Sequence, residues 1–220
     1  MPFFKDYNDD QAKILVWKYD ETDVFNEKQL IIPEDFEKVI NYHPKKKLEY
    51  LMIRQMLADT LPNHRILYRT IGQPYLFPKD YFISISHSFP FASLAISEKR
   101  IGIDLEKIND KIQRIRHKFI NQNEEEWISK MDNQTEVLVV IWAIKEALYK
   151  LHPSKYWSLK KHYEVEEFDL NSLSQISCRV FDADFEDVYQ ADVFKLENYY
   201  YAIIEENHQL NFKMGKDVLF

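Results

Sequence analysis

The chain is predicted to be an α+β protein. Two long segments carry helical periodicity, four short runs carry strand periodicity, and no Gly/Ser-rich or Pro-rich linker separates them. The first helix is expected over Lys45 to Leu61, with Leu48, Leu51, Met52 and Ile53 on its buried side and Pro62 as its stop. Three β runs follow: Tyr81 to Ser86, Phe91 to Ser97 and Ile101 to Glu106. Pro90 and the polar stretch Glu98-Lys99-Arg100 punctuate them, which predicts an antiparallel meander. Ile108, Ile112, Ile115 and Phe119 then recur at helical spacing, and Gln134 to Leu151 reads as the second strong helix. Beyond it the pattern weakens, until Tyr199 to Ile204 reads as a late strand.

The composition suits this class. Of 220 residues 45% are hydrophobic and 30% charged, enough for one substantial core or two smaller ones and far from a disordered composition. Lys and Arg number 29 against 36 Asp and Glu, a net charge of -7 that argues against nucleic acid as the partner. Much of the excess falls late, where residues 161–206 hold 12 acids and 3 bases. The lone Cys178 offers neither an internal disulfide nor a thiolate cage, so a reducing compartment is expected. Met1 to Asp10 has no basic flank or apolar run of signal length, and no segment approaches the roughly 20 apolar residues that span a bilayer. The expectation is a cytoplasmic protein that engages no membrane.

Three motifs carry candidate chemistry. In Ile101-Gly102-Ile103-Asp104-Leu105-Glu106 the alternation puts Gly102, Asp104 and Glu106 on one face. Residues two apart on a strand stand roughly 7 Å apart, so both carboxylates can reach one hard cation, with Gly102 leaving room for a bulky anion. The plainer alternative is a strand with a solvated polar face. In the second helix Trp142, Glu146 and Lys150 are spaced by four and share a stripe amid apolar neighbours. Glu146 is a candidate third ligand and Lys150 a candidate phosphate partner; an ordinary Glu-to-Lys helix pair, worth about 0.2–0.5 kcal/mol, is the alternative. Ser86-His87-Ser88 ends a strand before a turn, where hydroxyls, an imidazole and backbone N–H groups suit phosphate oxygens. Adjacent strand residues point to opposite faces, so Ser86 and His87 are poorly placed as a nucleophile and its base.

Taken in order, Ile83-Ser84-Ile85-Ser86-His87-Ser88, Ile101-Gly102-Ile103-Asp104-Leu105-Glu106 and Trp142-Ala143-Ile144-Lys145-Glu146-Ala147-Leu148-Tyr149-Lys150 resemble the signature set of the surfactin-synthetase-type 4′-phosphopantetheinyl transferases. Leu51-Met52-Ile53-Arg54 and Gly72-Gln73-Pro74 also look like family positions, and the match runs from about Pro33 to Leu151. The resemblance implies two similar α/β halves, 1–98 and 99–220, forming an intramolecular pseudo-dimer with coenzyme A between them and the metal site in the second half. It implies Mg²⁺ held by Asp104, Glu106 and Glu146 with the coenzyme's pyrophosphate. Ser86 and His87 would meet coenzyme phosphates, Lys150 and Lys145 the pyrophosphate and leaving side, and Lys38 and Arg69 further phosphates. At Gly72-Gln73-Pro74 the family usually has Gly-Lys-Pro, so Gln73 lacks a charge expected near the nucleotide.

The expected reaction is transfer of the 4′-phosphopantetheine arm to a serine of an apo acyl or peptidyl carrier protein, with release of 3′,5′-ADP, as in holo-acyl-carrier-protein synthases. Glu146, Lys150 and His87 are the expected catalytic residues, with Glu124 a weaker candidate base. The chain is expected to act as a monomer. An acidic carrier needs a basic dock, and Lys111, Arg114, Arg116 and Lys118, with Ile112 and Ile115 as an apolar seam, supply one over 111–118. Two rivals stand: a metal-dependent nuclease using the same acids, which plasmid nicking would reveal, and a non-catalytic carrier-binding module, which has no need of three converging acids.

Overall fold

The computed structural model describes residues 3–8, 12–70 and 72–206, in which the chain parts into two units, Met1–Arg100 and Ile101–Phe220. Residues 207–220 of the expected second half lie outside the described residues.

In the first unit the strands are β1 (Phe3–Asn8), β2 (Ala12–Lys18), β3 (Arg65–Tyr68), β4 (Pro74–Phe77), β5 (Phe82–Ser88) and β6 (Phe91–Ser97). Its helices are α1 (Glu27–Leu30), α2 (Phe36–Ile40) and α3 (Pro44–Thr60). An antiparallel sheet of order β1-β2-β6-β5 carries the core, and β3 and β4 form a separate hairpin. Pro44 opens α3, where a missing N–H is no loss, and the helix ends two residues before Pro62. Met52, Ile53, Met56 and Leu57 of α3 pack on Leu15 and Trp17 of β2 and on Ala92, Leu94 and Ile96 of β6.

The second unit holds β7 (Ile101–Lys107), α4 (Ile112–Ile115), α5 (Gln122–Ile128), α6 (Gln134–Leu151), α7 (Leu159–His162), β8 (Tyr163–Val165), β9 (Ile176–Phe181), β10 (Glu186–Leu196) and β11 (Tyr199–Glu205). Its strands make one antiparallel sheet of order β7-β11-β10-β9-β8. Helix α6 is apolar nearly all round and correspondingly buried, with Val137 through Ile141, Ala143, Ile144, Ala147 and Leu148 in the core.

Two expectations are corrected here. The third strand of the meander does not extend the first two. Both edges of β6 are already taken, by β2 and β5, so β7 pairs with β11 in the other sheet. Nor does Gly102 leave room for an anion. A Cβ at Gly102 would stand 2.0 Å from the Ala147 carbonyl oxygen and 2.9 Å from Leu151 Cβ. The missing side chain is filled by the backbone of α6, and the face expected to be solvated lies against that helix.

Gly102→Ala therefore cannot be absorbed by rotating a side chain; α6 itself must move. Overpacking typically costs about 1–3 kcal/mol, and a clash with backbone belongs at the upper end or beyond. Urea unfolding should show a loss of roughly 3 kcal/mol or more. A midpoint unchanged from the parent would mean that α6 is not seated against β7.

Candidate active site

The close approach at Gly102 sets the geometry of everything charged on this face. From α6, Lys150 Nζ donates to Asp104 Oδ1 at 2.7 Å and to the Ile103 carbonyl at 2.9 Å. Two turns earlier, Trp142 Nε1 donates to Glu106 Oε1 at 2.9 Å. Strand and helix thus run in opposite senses, with Glu146 on the same stripe between Lys150 and Trp142. Asp104 is buried, and Glu106 and Glu146 are half-buried. The contact from Trp142 was not foreseen, although its spacing of four from Glu146 marked it as a member of the stripe.

Burial and the charge of Asp104 push Glu106 up to about 7, with Glu146 adding to the effect while Trp142 and Lys150 oppose it. Burial, then Asp104, pushes Glu146 up to about 7 as well, against the pull of Lys150. Three acids with one ammonium among them are an excess of negative charge in a poorly solvated place. The expected ligands Asp104, Glu106 and Glu146 are thus electrostatic neighbours. Among the described residues no group of three acids, His or Cys closes into a ready-made metal cage.

These shifts have a definite sign. Glu106 and Glu146 bind protons more tightly in the folded chain than unfolded, so their contribution favours folding at low pH and is lost as pH rises from about 4.5 to about 7. In chelator, the thermal midpoint should fall over that window by an amount on the order of a few kcal/mol in stability and then level off. A divalent cation should restore stability most at the alkaline end. A midpoint that climbs from pH 5 to pH 7 would contradict the crowding of these acids.

Lys145, expected at the coenzyme, is placed elsewhere. It neighbours Glu146 in sequence, but the helix turns it inward and its side chain is fully buried. Its Nζ donates to Glu124 Oε2 at 2.7 Å and to the carbonyls of Phe119 at 2.6 Å and Leu159 at 3.4 Å. Glu124 is equally buried: Oε2 also accepts from Asn121 N at 2.9 Å in a capping box, and Oε1 accepts from Val165 N at 3.0 Å. With both oxygens engaged and no exposure, Glu124 is no general base here; Lys145 ties α6 to α5 and α7, and Glu124 ties α5 on to β8. Burial lowers the Lys145 pKa and raises that of Glu124, each against the pull of the other. The apolar run around Lys145 hinted at a buried charge; its partner, with a fold-dependent contact 21 residues away, was not legible.

Removing one member of such a pair leaves an uncompensated buried charge, worth about 3–5 kcal/mol. Lys145→Met should cost that much in chemical denaturation. Adding Glu124→Gln, which removes the charge and keeps the cap from Asn121 N but loses the bond from Val165 N, should recover part of the loss. Equal loss in the single and double variants would show that packing, not charge, sets the cost.

In the first unit, Ser86 is buried and His87 exposed, as expected of neighbours on β5. His87 Nδ1 lies 3.1 Å from Glu49 Oε2 of α3. Lys38 is exposed on α2, its Nζ 5.2 Å above the ring of Tyr68 at the end of β3. Arg69 and Gln73 flank the β3–β4 turn, where Arg69 N donates to the Gln73 carbonyl at 2.9 Å and Gly72 takes φ +80. The Arg69 side chain is exposed and that of Gln73 half-buried.

The basic segment 111–118 forms α4 and a 3-10 turn. Its apolar seam is turned inward, with Ile112 in the core and Ile115 packed against it. Arg116 is engaged by Glu125 at 2.6 Å, whereas Lys111, Arg114 and Lys118 are exposed.

The stretch that holds Asp104, Glu106, Glu146 and Lys150 also matches known proteins. Residues 100–204, from β7 into β11, match the family model described as the 4′-phosphopantetheinyl transferase superfamily. Over 106 residues the chain is 37% identical to the 4′-phosphopantetheinyl transferase gsp of Aneurinibacillus migulanus, covering 46% of this chain and 44% of that protein. The resemblance carried by the ordered motifs is borne out over this stretch, and the chain spans less than half the length of that relative. The structure of the Thermotoga maritima holo-[acyl-carrier-protein] synthase aligns with a TM-score of 0.39 at 15% identity, over 48% of this chain and 61% of that one.

Proposed function

We propose that this chain transfers the 4′-phosphopantetheine arm of coenzyme A to a serine of an apo carrier protein, in a magnesium-dependent reaction that releases 3′,5′-ADP. The observation that carries the proposal is the gathering of Asp104, Glu106, Glu146 and Lys150 by β7 and α6, inside the stretch that matches the superfamily.

The chemistry of the donor set suits a hard divalent cation, although the three acids do not stand as a closed cage among the described residues. Burial, and after it the charge of Asp104, lifts Glu106 and Glu146 to about 7, and oxygen ligands of this kind are what Mg²⁺ takes. Asp104, Glu106 and Glu146 would hold the ion. When bound, it supplies charge neutralisation and Lewis-acid activation at the pyrophosphate. The chain's own groups supply the rest. The carrier serine oxygen forms a bond to the β-phosphorus, the bond from that phosphorus to the leaving 3′,5′-ADP breaks, and the serine proton goes to a base. Glu146, on the same face of α6 between Lys150 and Trp142, is the proposed acceptor, directly or through a water. Lys150 opposes the charge that develops on phosphoryl oxygens, and Trp142 fixes the orientation of Glu106.

His87, Lys38 and Arg69, exposed on the first unit, are proposed as phosphate contacts with Ser86 and the uncharged Gln73 beside them. The same reading includes a pseudo-dimer of halves with coenzyme A between them, a monomeric chain, and reaction of the holo-acyl-carrier-protein synthase type in the cytoplasm. No helix among the described residues is long and apolar enough to cross a membrane. The carrier would dock on the cations of 111–118.

Incubation with coenzyme A, Mg²⁺ and an apo carrier should add the mass of one phosphopantetheine arm, and chelator should abolish the gain. Asp104→Ala or Glu146→Ala should lower the rate by orders of magnitude while the fold survives by circular dichroism. Full turnover in excess chelator, or a fully active Asp104→Ala, would remove the metal from the reaction.

A further inference from the structure

The inward turn of Ile112 and Ile115 leaves the basic segment without the apolar contact that a protein dock requires. The segment after α6 provides one. Trp157 is 91% exposed, the highest value among the chain's exposed aromatic residues in the described structure. An exposed indole on a loose loop would mean little, but this loop is tied down. Lys155 Nζ donates to the carbonyls of Tyr149 and Lys150, both at 2.6 Å, closing the end of α6. Tyr156 stacks on His162 with ring centroids 4.3 Å apart, and on Phe185 at 5.9 Å. His152 stacks on Phe185 at 5.8 Å and bonds Asp187 at 2.8 Å. Tyr156 before the tip is thus engaged, as is the Ser158 carbonyl after it, which accepts from Lys161 N at 3.1 Å, while Trp157 is exposed to solvent.

The basic segment and this loop carry charge of one sign, although Asp182 and Asp184, between β9 and β10, and Asp187 of β10 stand near Tyr156 and His152. Residues 111–118 and 152–162 contain seven Lys and Arg and no Asp or Glu, in a chain of net charge -7. The two segments meet, since Lys160 Nζ reaches the His117 carbonyl at 3.4 Å. Some of this charge is spent internally: Glu125 pairs with Arg116, and Asp182 lies 3.8 Å from His162. Lys111, Arg114, Lys118, Lys160 and Lys161 remain exposed.

We propose that Trp157, with Lys160 and Lys161 and the exposed cations of 111–118, is the docking surface for an acidic protein partner. Within the function proposed above, on which this inference rests, that partner is the apo carrier. An exposed indole on a tied-down segment that also carries exposed cations is the residue chemistry of an interface hot spot. The opposite charge of the partner would steer its approach. The loop leaves α6 after Leu151, one residue beyond Lys150, so a partner held on Trp157 is held near the end of the helix that carries Glu146. An anionic lipid surface could attract the same cations, but a chain with 36 acids against 29 bases and a single exposed indole here is better matched to a protein.

The test uses the full chain and two variants, Trp157→Ala and the pair Lys160→Glu with Lys161→Glu, neither of which touches the core. Each should raise KM for the apo carrier about tenfold or more and leave KM for coenzyme A within twofold. The charge variant should also flatten the salt dependence. Independently of turnover, titration of an acidic apo carrier into metal-free protein should shield the exposed tryptophan from acrylamide, and Trp157→Ala should lack that component. Unchanged carrier KM and no shielding would overturn the dock, as would binding of phosphatidylglycerol vesicles through Trp157 without carrier binding. A wild-type protein that binds the carrier yet transfers nothing would leave the dock standing and overturn the proposed activity instead.

Discussion

The contact on which the candidate site depends is between two backbones. At Gly102 the strand has no side chain, and the Ala147 carbonyl of α6 occupies the space where one would be. Helices pack on sheets at a distance set by the side chains between them. Removing one at this point lets α6 approach so closely that its polar stripe reaches the strand. Lys150 then meets Asp104, Trp142 meets Glu106, and Glu146 comes within the field of Asp104. A bulkier residue at 102 would hold the two elements apart and separate the acids by the same amount.

Neighbours on α6 divide the labour because a helix turns about 100° per residue. Glu146 faces the acids of β7, and Lys145 faces the opposite interior, where it joins Glu124, Phe119 and Leu159. The buried pair is an expensive way to hold a helix, since desolvating two charges often cancels their attraction. What it provides is directional: an ammonium with three oxygen acceptors fixes both the rotation of α6 and the start of α5. The Asn121 capping box reaches the same carboxylate, so the N-terminus of α5 and the middle of α6 are located by one group.

Those elements whose residues report on themselves were legible. The α6 pattern ran over Gln134 to Leu151 and the helix occupies the same residues, because a segment apolar on nearly all sides has nowhere to go but the core. The hairpin of β5 and β6 and the strand β11 were legible from alternation and turns. β10 was not, although Tyr189, Ala191 and Val193 alternate inward, because acids at Asp187 and Asp192 masked the run. β8 is three residues long and had no pattern to show. In the candidate site, alternation marked Asp104 and Glu106 and a spacing of four marked Glu146 and Lys150, each with a plainer alternative, and the resemblance of the ordered motifs singled them out. Gly102 was noticed but misread, and the reason is general: a missing side chain announces a close approach without saying what approaches. The basic seam failed similarly, since Ile112 and Ile115 satisfy a helical pattern whichever side the core lies on.

The same closeness makes the site costly in isolation. Two carboxylates held near neutrality by burial and by a third are groups that the folded chain destabilises in their charged form. One ammonium and one indole N–H do not offset three acids, and nothing in the packing of α6 against β7 requires acids there. A doubly charged ion held there would remove that electrostatic deficit, and its binding would be coupled to the seating of α6. On the proposed function that coupling has a use. The close approach at Gly102 already sets the register of strand and helix, so an ion held by the acids would tighten an arrangement that the chain has without it, at the place where the reaction needs its charge.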